Sequence, residues 1–177
     1  MNTTKSYTQI SKSGAIVLWL FVIWVSMQYG AGLYEKQIIV PLWLEATPDQ
    51  LTTVLETSGQ KDSALGFWAF VSPPVALLAL INLIFALRSR VSFRHWWVAA
   101  SLLMLVNSIF TYTYFVPAMI RLWDASNLDP AWVSASKNRW ANLNYLRLLI
   151  ATLGWLCLLK TFSMVGSHKK MSSSVVQ

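Results

Sequence analysis

Four stretches of this chain stay apolar for longer than an ordinary strand or surface helix can use: Gly14 to Leu33, Ala64 to Leu87, Trp96 to Leu122 and Trp140 to Phe162. About 20 consecutive apolar residues of helix cross the hydrocarbon core of a bilayer. None of the four runs carries an opposing polar face that would lay it on a protein surface. Backbone groups in lipid must bond within their own segment, so the runs read as helices. The expected fold is an all-α membrane protein, a four-transmembrane-helix antiparallel bundle. Charge agrees, because only 12% of residues are charged, about half the share of a globular chain.

Lys5 and Lys12 precede the first run as they would precede a secretory signal. The apolar stretch is longer than a signal core, and Tyr29 to Leu33 matches a cleavage site only loosely, so an uncleaved first helix is expected. Lys5, Lys12, Arg88, Arg90, Arg94, Lys160, Lys169 and Lys170 fall in the N-terminal arm, the middle loop and the tail. The positive-inside rule makes those segments cytoplasmic, so the N- and C-termini are both expected inside. All seven acidic residues, Glu35, Glu45, Asp49, Glu56, Asp62, Asp124 and Asp129, lie in the other two loops. The implied division is an arm over 1–13, one transmembrane domain over 14–165 and a disordered cytoplasmic tail over 166–177. The expected location is multi-pass in a cell membrane, of the bacterial inner-membrane kind. The net charge is +7, and its inner excess, spread over three short segments, suits membrane lipid headgroups and implies no nucleic acid partner. Homo-oligomers or other membrane subunits stay open as partners. With Cys157 as the one cysteine, no intramolecular disulfide can form.

The first outer loop, Tyr34 to Asp62, contains Thr47-Pro48-Asp49-Gln50, which reads as an N-cap, a first-turn proline and a capping box. Leu51, Val54 and Leu55 would give the helix that follows one apolar face, so a short interfacial helix is expected there. Asp129-Pro130 in the second outer loop marks either another short helix or an early start of the fourth span. The brief turn from Arg88 to Phe93 makes helices two and three antiparallel neighbours. No internal repeat stands out.

Arg147 is the residue most at odds with its surroundings, roughly two turns into the fourth span. A guanidinium at that depth costs several kcal/mol unless it faces protein, water or a partner, on the order of the penalties known for membrane arginines. It can also snorkel to the headgroups. Its neighbours favour a polar core: Trp140, Asn144, Arg147, Ala151 and Gly154 share one helix face, and Asn107, Thr111, Tyr114, Ala118 and Arg121 share another on the third helix. Gln28, Tyr29 and Tyr145 fall in the same outer half, whereas the inner half offers chiefly Asn82 and Ser101. A polar pocket in the outer half of the bundle is expected. Pro73, Pro74 and Pro117 would free the carbonyls of Ala69, Phe70 and Thr113 toward it, or would only kink their helices.

No acidic residue lies within a span, which leaves Glu35 as the nearest partner for Arg147; failing that, an anionic or phenolate ligand is the natural counter-charge. His95 and His168 sit at the cytoplasmic edge, so haem is not expected. Zinc and di-iron sites lack ligands, so no metal is expected. No phosphate-binding loop, dinucleotide fingerprint or serine triad occurs. Trp43, Trp68, Trp96, Trp97, Trp123, Trp132 and Trp140 lie near span ends, where interface anchoring is the ordinary reason for tryptophan. Trp19, Trp24 and Trp155 are expected to pack.

Tyr34-Glu35, Val40-Pro41-Leu42-Trp43, Tyr114-Phe115-Val116-Pro117 and the motif Trp140-x-x-x-Asn144-x-x-Arg147 together resemble the anthrone oxygenase-like family of small four-helix membrane proteins. The likeness spans most of the chain between Gly14 and Phe162. Most members of that family have no assigned activity. For the few that do, the resemblance implies oxidation of polyketide anthrones to anthraquinones with molecular oxygen, without a metal or organic cofactor. It further implies that Asn144 and Arg147 bind or polarise a phenolate and that Trp140 lines the pocket. A cationic group stabilises the anion such chemistry needs. Glu35 or a tyrosine could be the general base, and the spacing selects neither. The other reading is a non-catalytic membrane protein that binds a lipid or small molecule or serves as a subunit.

Overall fold

Large apolar side chains point outward all around this molecule, while a set of polar ones is buried within it. Ile16, Ile23, Phe70, Leu77, Leu102, Ile109, Leu149 and Leu156 are exposed, while Asn82, Ser101, Asn107, Asn144 and Thr161 are buried. A chain in water inverts that arrangement.

The computed structural model describes residues 9–173, with side chains as far as 165. Lys5 and the last four residues of the expected tail lie outside the described residues, as do the side chains of His168, Lys169 and Lys170. Four long helices, α1 (Lys12–Leu44), α3 (Gln60–Arg88), α4 (Arg94–Leu122) and α5 (Pro130–Ser173), are joined by short connections, with a short helix α2 (Leu51–Thr57) between the first two. Each of the four has a stretch long and apolar enough to cross a membrane. There is no strand among the described residues.

Contacts between helices run in opposite order along the two partners, as an antiparallel bundle requires. Asn82 of α3 bonds the Val17 carbonyl of α1, and farther along Trp24 packs on Phe70. Trp155 and Thr152 of α5 meet Ser26 and Tyr29 of α1 in turn. Along α4, Met104 lies against Gly154 and Phe115 against Trp140.

Three long helices carry a widened turn with bonds to the fifth preceding carbonyl, over Glu35–Ile39, Ala64–Trp68 and Thr111–Phe115. In each the residue after the turn donates across five positions, Val40 to Glu35, Ala69 to Ala64 and Val116 to Thr111. Prolines follow at 41, 73 and 117. A proline has no N–H and crowds the carbonyl four residues back; the wide turn precedes each such proline and the helix continues through it. The segment from Tyr34 to Leu44, expected to open a loop, is accordingly the end of α1.

The capping box at Thr47 does not form either. Residues 47–50 make a turn, Gln50 N–H to the Thr47 carbonyl at 3.1 Å, and α2 begins at Leu51 without a side-chain cap. Its apolar face is as expected: Leu51 and Leu55 are buried and Val54 half-buried. That face covers the end of α4 rather than lying free, in a core with Trp43, Met119, Leu122 and Val133. Lys137 of α5 is buried and ties this cap down, donating to the carbonyls of Leu44, at 2.8 Å, and Ala46. Asp129 does cap a helix, accepting from Trp132 N–H at 2.8 Å, so α5 starts at Pro130 and runs straight into the fourth span.

The opposite half is a second apolar core around Leu18, Phe21, Val75, Trp97 and Leu158. Its polar members are satisfied. Asn82 accepts from Trp97 Nε1 at 2.9 Å and donates to the Leu78 and Val17 carbonyls at 2.8 and 3.3 Å, and Ser101 bonds its own helix at Trp97 O. Trp43, Trp97 and Trp140 are therefore core residues, whereas Trp19 is 55% exposed; position near a span end does not fix which way a ring points.

Candidate functional site

Between the capped end and the second core the four long helices enclose a cavity of about 440 Å³, within the range of small-molecule sites. Of the residues expected to line it, Gln28, Glu35, Pro73, Asn107, Thr111, Trp140, Asn144 and Arg147 do so. Three do not. Tyr145 is 62% exposed on the outside of α5 under the ammonium of Lys36, 3.8 Å from its ring centroid; one residue on from Asn144 is a 100° rotation around the helix. Tyr114 packs its ring on Phe110 and Phe115 instead, and Pro117 is exposed. The widened turn at Thr111–Phe115 explains both: it shifts the register by a residue, so the face that starts as Asn107 and Thr111 continues as Phe115 and Met119. Of the three carbonyls expected near the prolines, Phe70 and Thr113 belong to outward-facing residues and only Ala69 is at the cavity.

Arg147 sits in the cavity wall with its side chain 17% exposed. Its guanidinium lies over the Phe115 ring, 4.3 Å from the centroid, and 5.8 Å from that of Trp140. The carboxylate of Glu35 faces it with Nη2 to Oε2 at 3.9 Å, close enough for Coulombic attraction and too far for a hydrogen bond. Among the described residues no side chain or carbonyl accepts a hydrogen bond from that guanidinium. Five donors in a half-buried head group without a protein acceptor call for a partner in the cavity.

Glu35 is held more fully. Its other oxygen, Oε1, accepts from Gln60 Nε2 at 2.6 Å and Trp68 Nε1 at 3.0 Å. Gln60 in turn accepts from Trp43 Nε1 at 3.0 Å, and Trp43 and Trp140 rings pack edge to face. A chain of contacts thus joins the cap to the wall that carries Arg147. The sequence pointed to neither Gln60 nor Trp68 as part of the site. Gln60 lay outside the apolar run that began at Ala64, and its one signal was Gly59, whose left-handed φ of 75° lets the chain reverse after α2 and begin α3 at that glutamine.

Further polar groups reach the cavity without partners. Gln28 Oε1 and Asn107 Oδ1 are buried and make no hydrogen bond, and Asn144 is 3% exposed with no side-chain hydrogen bond among the described residues. Buried polar atoms in native proteins are nearly always bonded. Asn82 and Ser101 in the other half, by contrast, are satisfied. No cluster of histidine, cysteine or carboxylate side chains that could hold a metal occurs among the described residues.

The fold and the site together define a four-helix protein with membrane-spanning character that encloses, at its capped end, an apolar cavity with an arginine and several unpaired amides in its wall. No known protein family, curated protein or solved structure matches the chain.

Proposed function

We propose that this is a multi-pass cell-membrane protein with both ends cytoplasmic, and that its cavity, in the outer half, binds an apolar phenolic or quinone-like molecule. We further propose that it oxidises such a molecule with molecular oxygen and without a cofactor, as the resemblance to the anthrone oxygenase-like family implies. The observation that carries this reading is the pair Arg147 and Glu35, facing each other across 3.9 Å with the guanidinium otherwise unbonded. An acidic hydroxyl between them donates its proton toward Oε2 of Glu35 and accepts from Arg147 as it becomes an anion. Oε1, already bonded to Gln60 and Trp68, keeps the carboxylate aimed. Asn144 offers a neighbouring amide, and Trp140 lines the wall.

For an anthrone the balance is simple. The enol loses its proton to give an electron-rich carbanion; the methylene carbon then gives up two hydrogens and gains one oxygen atom from O2, and the other oxygen leaves as water. Oxygen is the oxidant, and the cation stabilises the charge that develops on the substrate oxygen.

Oxygen uptake with anthrone, measured on protein in lipid nanodiscs, tests the proposal. Uptake with anthraquinone formation is expected above the protein-free rate. Arg147→Gln is expected to lower it by about 10²- to 10³-fold, as loss of an oxyanion donor does, and Glu35→Gln by about 10²- to 10⁴-fold, as loss of a general base does. Equal uptake in all three would overturn it. A second reading, a non-catalytic binder of a lipid or small molecule, is favoured by the two donors already on Glu35 Oε1. A co-purifying lipid or aromatic molecule without oxygen uptake would select that reading.

A further inference from the structure

We infer that the ligand of this cavity enters sideways, from within the bilayer, through a slot between α3 and α4, and lies with its polar head inward and its apolar body toward the lipid. The inference rests on the cavity being a binding site, and it adds the route and the shape of the molecule. Exposure of the lining residues locates the mouth. The lining side chains from α1 and α5 are buried or half-buried. The exposed ones are Leu65, Ala69 and Pro73 of α3 and Tyr112, Val116 and Ile120 of α4. Each trio is spaced by four residues, so each forms a ridge along its helix, and the two ridges are the lips of the mouth.

Three independent facts support a route through lipid. The lips carry no charged residue. They belong to the outward apolar belt, which on α3 runs from Leu65 through Leu77, Leu80 and Ile84 to Leu87, about 33 Å of helix at 1.5 Å per residue, the height of a hydrocarbon core. The end of the bundle is meanwhile closed by the cap, where Trp43, Leu51 and Leu55 are fully buried. α3 and α4 pack together along the half nearer their connecting turn, and the wide turns at Ala64–Trp68 and Thr111–Phe115 stand at the level where they part.

The polar groups are arranged to match. Gln28 and Glu35 come from α1 and Asn144 and Arg147 from α5, the wall across from the lips, with Asn107 of α4 below. A molecule with one acidic oxygen and an apolar body, dissolved in the membrane, satisfies both sides at once.

The test uses the full chain in nanodiscs and 1-hydroxypyrene, an acidic hydroxyl on an apolar fluorescent body, as probe. Equilibrium binding and association rate are followed for the wild type, the lip variants Ala69→Trp and Val116→Trp, and Leu149→Trp as an outward-facing control on α5. Arg147→Gln reports on the site itself. Slot variants are expected to slow association by about tenfold or more while Leu149→Trp does not, a change within the range that altered access produces. Thermal melting of each variant separates slowed entry from misfolding, and two lips offer two chances of a folded protein. If both folded lip variants associate at the wild-type rate while Arg147→Gln weakens binding, the lateral route is wrong and the site stands. If Arg147→Gln binds the probe as wild type does, the site reading fails and this inference fails with it.

Discussion

Gln60→Leu should uncouple the cap from the cavity. The side chain is 2% exposed and makes two bonds, accepting from Trp43 Nε1 at 3.0 Å and donating to Glu35 Oε1 at 2.6 Å. Leucine removes both. The Trp43 indole, fully buried, is left with an orphan donor at about 1–3 kcal/mol, and the carboxylate loses a charge-assisted bond of about 1.5–3 kcal/mol. Trp68 still holds Glu35 at 3.0 Å, which offsets part of the second loss. A net of about 3 kcal/mol corresponds to roughly a 150-fold shift in the opening equilibrium of the cap. Amide hydrogen exchange over 51–57, compared between wild type and variant in nanodiscs, reads that shift directly. Trp43→Phe removes the donor, so the double variant should cost about 1–2 kcal/mol less than the sum of the singles, the coupling of a bonded pair. Exchange within threefold of wild type in Gln60→Leu would refute the chain of bonds from Trp43 to Glu35, since nothing else in the cap replaces them.

Asn82→Leu should destabilise the opposite half without touching the cavity: it strands Trp97 Nε1, fully buried, for about 1–3 kcal/mol, measured as lower thermal stability with probe affinity unchanged. Gly59→Ala, at a φ of 75°, should cost about 1–2 kcal/mol of stability, with Gly59→Asn costing less because asparagine tolerates that conformation. Tyr145→Ala should leave 1-hydroxypyrene binding at the wild-type level, because the ring is 62% exposed on the outside of α5.

The bundle was legible because its signal is long: four apolar runs leave the backbone no alternative to helix. Arg147, Asn144 and Trp140 were legible on α5 because that helix is regular from Pro130 onward and spacing translates directly into a face. The same inference on α4 went astray at Tyr114 because a wide turn, which changes the number of residues per turn, leaves little trace in periodicity. Helix ends were misread for a related reason. Pro41 and Pro48 both look like breaks or starts, yet one is absorbed inside α1 and the other lies in a turn. Gln60 was invisible because its role depends on Trp43 and Glu35, which are brought to it by tertiary folding alone. The direction of tryptophans such as Trp97 was lost likewise, since burial is decided by the neighbouring helix.

The central claim is that Arg147 faces a ligand and does not merely pack. Its most direct test is the dissociation constant of 1-hydroxypyrene for wild type, Arg147→Gln and Arg121→Gln, the last an exposed arginine stacked on Trp132 with its guanidinium 4.6 Å from the ring centroid. Loss of a charge-assisted bond of 1.5–3 kcal/mol should weaken Arg147→Gln by about 10- to 100-fold and leave Arg121→Gln unchanged. Equal affinity in all three would contradict the claim.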